Sequence, residues 1–430
     1  MTKAAFYTLG CKLNQAETAM LAQLFTDKGY DIAPFDTEAD VYVLNTCTVT
    51  ERSAAKCRKL IRKVIREQPE AVLIVAGCYS QVSHDEIIDI PGVDYVFGSA
   101  EKLSLFEYAG TFTKQKTPAV FVTKRDSITQ AKTGNARFID NTRAFLKIQD
   151  GCDNFCSYCI VPYARGPARS VPLETVVQRA ESLTASGYKE LVLTGVHIGK
   201  WQDSRNPDHS LAYLLKSLLQ IDFDGRIRLG SIEPEELTDR LLDVVSGDER
   251  VCRQFHISLQ SGCDSVLERM KRHYSAELMR DRIDALVNRF NNPGIGCDVI
   301  AGFPGETAGE FEETRSFIDQ QPFTYMHVFP YSLRSGTAAA KLPGQVKAAV
   351  KKERAKILRD MGMEKKKAFS ASWTGRTVKV LFEKKENGNM SGFSPEYVRV
   401  YAPLDQNRIN TITPVQITEV FLDGVYGTMP

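Results

Sequence analysis

The sequence of 430 residues has no run of 18 apolar residues, so no membrane-spanning helix is expected. Its first residues, Met1-Thr2-Lys3-Ala4-Ala5, carry neither the apolar core nor the small-residue cleavage site of a secretory leader, and a cytoplasmic protein is expected. In that compartment the ten cysteines are expected as thiols and metal ligands, not disulfides. The net charge is only +2, which by itself points to no polyanion. Also missing are a second Cys-x2-Cys pair and any His-x3-His run, the close pairs that structural zinc sites use. The composition is that of a globular protein, and the chain is too long for one ordinary core, so two or three domains are expected.

What is present is one dense cysteine loop, Gly151-Cys152-Asp153-Asn154-Phe155-Cys156-Ser157-Tyr158-Cys159. Iron–sulfur clusters normally take four Cys ligands, so three on one loop leave an iron open to a small molecule. Zinc is the rival reading, but it wants four ligands. Three core cysteines would need neither this tight spacing nor such polar neighbours.

Residues 1–100 alternate strand and helix. Ala4–Leu9, Val41–Leu44 and Val72–Ala76 read as strands. Helices are expected over Asn14–Lys28 and Glu51–Arg66. Such alternation implies a parallel sheet with helices on its faces. Cys11, Cys47 and Cys78 then each follow a strand, at the edge where open α/β sheets bind ligands. The competing reading is that they are buried for packing, as cysteines often are. Cys57 falls inside a helix and does not share the placement.

Residues 116–142 read as a linker. Beyond it, strands are expected at Ala144–Gln149, Glu190–Thr194, Arg226–Leu229, Gln254–Leu259, Ile295–Ile300 and Tyr325–Phe329. Six strand–helix units suggest a partial barrel related to the TIM barrel, with its chemistry at the C-terminal strand ends. The Cys152 loop follows the first of these strands. Residues 369–430 carry short strands with turn signals, as in a small β-barrel. Six Lys and Arg balance six Asp and Glu there. A basic stretch precedes it, with ten Lys and Arg from Lys341 to Lys367, and reads either as a phosphate contact or as a solvated helix face.

Over nearly its full length this layout resembles the radical S-adenosylmethionine (SAM) methylthiotransferases. The segments Thr8-Leu9-Gly10-Cys11-Lys12-Leu13-Asn14-Gln15, Asn45-Thr46-Cys47-Thr48-Val49-Thr50 and Leu193-Thr194-Gly195-Val196-His197-Ile198-Gly199 are most similar to the MtaB type of that family. Gly199-Lys200-Trp201-Gln202 departs from that type and bears on local loop shape.

The resemblance implies an N-terminal methylthiotransferase domain (1–115), a radical SAM barrel (143–368) and a TRAM domain (369–430). It implies two [4Fe–4S] clusters, one on Cys152, Cys156 and Cys159 that binds and reduces SAM, the other on Cys11, Cys47 and Cys78 as the sulfur site. The radical derived from SAM would take hydrogen from carbon 2 of N6-threonylcarbamoyladenosine beside the tRNA anticodon, a bond that side-chain acid–base chemistry cannot open.

Tyr158, Gly195, Glu233, Gln260, Arg272, Val299 and Ile300 are the implied SAM contacts. For Glu233 a helix cap is the alternative, and for Arg272 a surface salt bridge. The implied partners are the tRNA anticodon stem-loop and an electron donor such as flavodoxin or ferredoxin. Arg58, Lys59, Arg62 and Lys63, with Lys347, Lys351, Lys352 and Arg354, would meet RNA phosphates. His197, His256 and His327 are expected as core or rim residues. Isopentenyladenosine in tRNA and a ribosomal-protein aspartate are the alternative substrates. A redox protein that binds RNA without modifying it is the alternative from another class.

Overall fold

The computed structural model describes residues 2–136, 138, 142–203 and 205–429. The first unit is a six-stranded, all-parallel sheet. Its strands are β1 (Lys3–Thr8), β2 (Asp31–Ala33), β3 (Val41–Thr46), β4 (Val72–Gly77), β5 (Tyr95–Phe97) and β6 (Ala119–Phe121), in the order β2-β1-β3-β4-β5-β6. The central strands β3 and β4 are buried at every position, as sheets covered on both faces require. Apolar layers on the two faces hold helices α1 (Lys12–Asp27), α2 (Glu51–Glu67) and α3 (Cys78–Val82). Thr50 caps α2 by accepting from the Ser53 amide at 3.1 Å.

The expected linker begins too early. Ala119–Phe121 pairs in register with β5 and closes this sheet, so the N-terminal unit runs past residue 115. Three residues give too short a period to read from sequence. Residues 137 and 139–141 of that expected linker lie outside the described residues.

The second unit is the partial barrel, with β7 (Arg143–Lys147), β8 (Glu190–Thr194), β9 (Arg226–Arg228), β10 (Ser231–Ile232), β11 (Gln254–Gln260), β12 (Gly294–Ala301) and β13 (Tyr325–Pro330). All pair in parallel, in two runs, β9-β8-β7 and β10-β11-β12-β13. The break falls at Leu229-Gly230. There β9 and β10 succeed each other along the chain, and a bridge from Ile227 to Val251 spans the gap. Helix α4 (Val161–Arg165) follows the cysteine loop and packs against α3 of the first unit. Helix α5 (Ala348–Ala371) covers β13 and continues without a break past residue 368, the expected domain boundary. Gly362 lies within it without breaking it, no Pro interrupts it, and Gly375 turns the chain at φ +82°.

The third unit is a closed five-stranded barrel of β14 (Thr377–Glu386), β15 (Asn389–Phe393), β16 (Arg399–Pro403), β17 (Ile412–Phe421) and β18 (Gly424–Thr428). Asn387-Gly388, both at positive φ, make the β14–β15 turn. The loop after β15 packs against the start of the larger barrel. Arg226 donates to the Phe393 carbonyl at 2.9 Å, and Arg228 to those of Pro395 (3.0 Å) and Ser394 (3.1 Å). Both arginines also hold Glu190, which is fully buried. Burial alone would raise the Glu190 pKa, but Arg226 and Arg228 hold it well below the usual carboxylate range. Among the described residues, no helix is long and apolar enough to cross a membrane.

Arg228→Ala would leave Glu190 short of its main partner and cut two bonds to the small barrel. A loss of about 3–5 kcal/mol in urea unfolding is expected, with early proteolytic release of the C-terminal barrel. An unfolding midpoint equal to wild type would contradict this role.

Candidate functional site

Cys11, Cys47 and Cys78 converge at one sheet edge. Cys11 is the residue before α1, Cys47 follows β3 and Cys78 opens α3. The sheet order reverses between β1 and β3, and such a switch point is where open sheets take ligands. Gly10 (φ +108°) packs so tightly that a Cβ there would lie 2.7 Å from Cys47 Cβ. At Gly77 (φ +106°) a Cβ would meet Asn45 Oδ1 at 2.7 Å. Only glycine permits either approach.

Polar clips fix the three strand ends. Asn14 Nδ2 donates to the carbonyls of Leu9 (2.6 Å) and Thr46 (3.0 Å), Asn45 Nδ2 to that of Asn14 (2.9 Å), and Thr46 Oγ1 to that of Ala76 (2.7 Å). Cys11 is exposed and Cys47 and Cys78 are buried. Burial pushes the Cys47 thiol up to about 11. Cys57 stays outside the triad, donating to the Cys47 carbonyl at 3.4 Å.

The Cys152–Cys159 loop leaves the C-terminal end of β7. Backbone bonds pin it: Cys152 N to Gly166 O (3.1 Å), Ser157 N to Met270 O (2.9 Å) and Ala339 N to Ser157 O (2.7 Å). Phe155 turns the loop at φ +46°, edge-on to Tyr163 and beneath the Arg125 guanidinium. Burial pushes the Cys152 thiol up to about 11 and the Cys159 thiol up to about 12. Arg272, itself buried, donates to Cys156 Sγ at 3.1 Å and pairs with Glu233.

The donor chemistry of both triads fits an iron–sulfur cluster. Buried thiols become thiolates only beside positive charge, and a bound metal cluster supplies it. Among the described residues, one set of three His, Cys, Asp or Glu side chains brings its ligand atoms within 4.8 Å of one another: His256, Asp298 and His327.

Between the triads lies a buried charge network that the sequence reading missed. Glu17 of α1 accepts from Lys102 Nζ (2.5 Å), Lys147 Nζ (2.9 Å) and Arg165 (2.9 and 3.0 Å). Asp150 accepts from Lys147 Nζ (2.7 Å) and Arg165 Nη1 (3.0 Å), and Arg165 Nη2 also reaches Asn14 Oδ1 (2.6 Å). Burial alone would raise the pKa of Glu17; Arg165, Lys102 and Lys147 instead hold it well below the usual carboxylate range.

The implied SAM contacts fall unevenly. Glu233 caps no helix with its side chain and reaches Arg272 instead, so these two form one buried pair beside Cys156. Gly195 sits against Gln149, whose Oε1 accepts from the amides of Val196 (3.0 Å) and His197 (2.8 Å). Gln260 ends β11 at φ +60°. Tyr158 and Ile300 are half-buried against one apolar cluster that includes Phe303 and Tyr331. Val299 is different: its side chain is fully buried in the main core.

His197 lies between Cys152 Sγ (3.8 Å) and Glu236 (2.6 Å). Within the barrel, His256 Nε2 and His327 Nδ1 both meet Asp298 Oδ1, at 3.1 and 3.2 Å. Several of the expected RNA-facing cations are already engaged. Arg354 pairs with Glu306 (2.6 Å), Lys351 donates to the Tyr331 carbonyl (3.2 Å), and Arg58 is held by Glu51, Glu86 and Tyr79.

Two family models match the chain: the radical SAM superfamily over residues 146–318, and an uncharacterised protein family, UPF0004, over residues 3–98. In overall fold the chain is similar to TsrM from Kitasatospora setae, a radical SAM methyltransferase solved with cobalamin and a [4Fe–4S] cluster. The TM-score is 0.56 at 16% identity, covering 77% of this chain and 75% of that one. Barrel, loop and superfamily match define a radical SAM enzyme.

Two relatives carry the name threonylcarbamoyladenosine tRNA methylthiotransferase MtaB. That of Bacillus subtilis is 39% identical, covering 97% of this chain and 94% of the relative. That of Aquifex aeolicus is 36% identical, covering 88% and 92%. A Fusobacterium nucleatum relative named tRNA-2-methylthio-N(6)-dimethylallyladenosine synthase is 33% identical, covering 91% of each. The chain belongs to the radical SAM tRNA methylthiotransferase family, whose cofactors are SAM and [4Fe–4S] clusters.

Two outcomes follow from the site. Glu17→Gln leaves three buried cations short of their shared carboxylate, so a loss of about 3–5 kcal/mol is expected at pH 7. The wild-type contribution is complete above the unfolded carboxylate pKa of about 4.3 and is lost as pH falls through the lower folded value. The gap between variant and wild type in chemical unfolding should therefore narrow only in acid; a constant gap would exclude this charge as the cause. After anaerobic reconstitution, replacing either cysteine triad by alanine should leave about half the wild-type iron. Zinc in place of iron in the wild-type protein would contradict the cluster assignment.

Proposed function

We propose that the chain attaches a methylthio group to carbon 2 of N6-threonylcarbamoyladenosine beside the anticodon of tRNA. In this reading Cys152, Cys156 and Cys159 hold the cluster that engages SAM, and Cys11, Cys47 and Cys78 hold the second, as the sulfur site. The observation that carries it is the pair of separate cysteine triads, one on each side of the Glu17–Arg165–Asp150 network. The MtaB name of the Bacillus subtilis and Aquifex aeolicus relatives supports the choice of base. When bound, the clusters supply the electron that cleaves SAM and the sulfur that is transferred.

The protein's own task is placement and exclusion of water. Three cysteines at each site would leave each cluster a corner for its guest. Arg272 is suited to a dual part: its guanidinium lies within hydrogen-bond distance of Cys156 Sγ and can turn from Glu233 to the carboxylate of SAM. Gln149 fixes the amides after Gly195 at the rim where the methionine end of SAM would lie. The small C-terminal barrel is assigned as the TRAM domain, and with Lys59, Arg62, Lys347 and Lys352 it would hold the anticodon stem backbone. A flavodoxin or ferredoxin in the cytoplasm would supply electrons.

Mass spectrometry of tRNA nucleosides from cells with and without the gene tests this reading. Loss of the methylthio group from threonylcarbamoyladenosine alone is expected. Loss from isopentenyladenosine would move the assignment to the other tRNA substrate, and unchanged tRNA would turn it toward a protein substrate or a redox role.

A further inference from the structure

We infer that Lys12 selects the substrate by holding the carboxylate at the end of the threonylcarbamoyl group. This rests on the substrate proposed above and names the residue that reads it.

Lys12 is the first residue of α1, directly after Cys11. Helix α1 lies against β7 and β8. Its contact with β7 is made on the face that carries Lys147, since Lys147 reaches Glu17. Glu190 and Arg143 are partners in the β7–β8 register and, by alternation along β7, share that face. Tyr397, Arg228, Arg143 and Glu190 are the ionisable groups near enough to act on the Lys12 charge. Both Glu190 oxygens are already engaged, by Arg226 at 2.5 Å and Arg228 at 2.9 Å. Arg143 has its own carboxylate, Glu383, at 2.8 Å. Among the described residues Lys12 makes no hydrogen bond or ion pair, and the residue is exposed. The chain thus presents, on the residue after Cys11, an unpaired cation in surroundings whose carboxylates are taken.

The two candidate nucleosides differ at this point. Both present carbon 2 of adenine. The threonylcarbamoyl group on N6 ends in a carboxylate, whereas the isopentenyl group is wholly apolar. An ammonium carried on the residue after Cys11, and reaching away from it toward the Glu190 cluster, favours the first through a charge-assisted hydrogen bond. It disfavours the second, which would strip water from the cation and return nothing. Holding the far end of the N6 substituent also fixes the ring, so that carbon 2 faces the cysteine triad.

The test is binding of anticodon stem-loop RNAs to the reconstituted holoenzyme. The hairpins carry adenosine, N6-threonylcarbamoyladenosine or N6-isopentenyladenosine at the target position. Wild type should bind the threonylcarbamoyl hairpin at least tenfold more tightly than either of the others. Lys12→Gln should erase that preference, keep the affinity for the adenosine hairpin, and keep the iron content. Lys12→Arg should restore most of it. In turnover, Lys12→Gln should raise KM more than it lowers kcat. If wild type prefers the threonylcarbamoyl hairpin and Lys12→Gln retains the same ratio, the role of Lys12 is overturned and the substrate stands. If wild type shows no such preference, the substrate reading falls, and this inference with it.

Discussion

The two halves of this protein meet around one buried carboxylate. Glu17, on the first helix, is shared by Lys102 of its own unit and by Lys147 and Arg165 of the barrel. A charge this deep is tolerated only when its partners are all in place. The network therefore fixes the orientation of α1 relative to β7 and α4, and with it the distance between the two cysteine triads. Asp150 extends it to the base of the Cys152 loop, and Asn14 extends it to the strand ends that carry Cys11 and Cys47. A single connected set of hydrogen bonds thus joins the surroundings of both triads.

A second buried cluster does the same work at the other end of the barrel. Glu190 gathers Arg226 and Arg228, and the arginines in turn hold the backbone of the loop after β15. Because Arg228 spends donors on both, the small barrel is seated by the same guanidinium that neutralises Glu190. Helix α5 supplies the covalent side of this attachment, running unbroken from the flank of β13 into the small barrel. The three units are held in large part by carboxylates satisfied across their boundaries, beside the apolar packing of Ala16 and Ala19 on the barrel core. That is also why an unpaired lysine there stands out.

Much of the site was legible in the sequence because its signals are local. The Cys152 loop declares itself by spacing alone. Cys11, Cys47 and Cys78 were found by placing each at the end of a strand, and the strands were readable from largely apolar runs of four to six residues. Gly10 and Gly77 mark close approach beside two of the three. The reading failed where the signal was short or non-local. Ala119–Phe121 is too brief for a period, and α5 hides its passage between domains because nothing interrupts it. Arg354 looked like an RNA contact and is an internal partner of Glu306. Val299 belongs to the core because alternation along β12 turns it away from Ile300.

By itself the sequence determined the order of the three units, the two sets of thiols and the family, since these depend on periodicity and spacing within a few residues. The tertiary structure decided which charges are internal. Glu17 and Arg165 are separated by 148 residues, and Arg272 and Cys156 by 116, so no local pattern announces either contact. A charged side chain in sequence reads as solvent-facing, because water is its cheapest environment. Only the folded chain shows where opposite charges, brought together out of water, replace that hydration for one another.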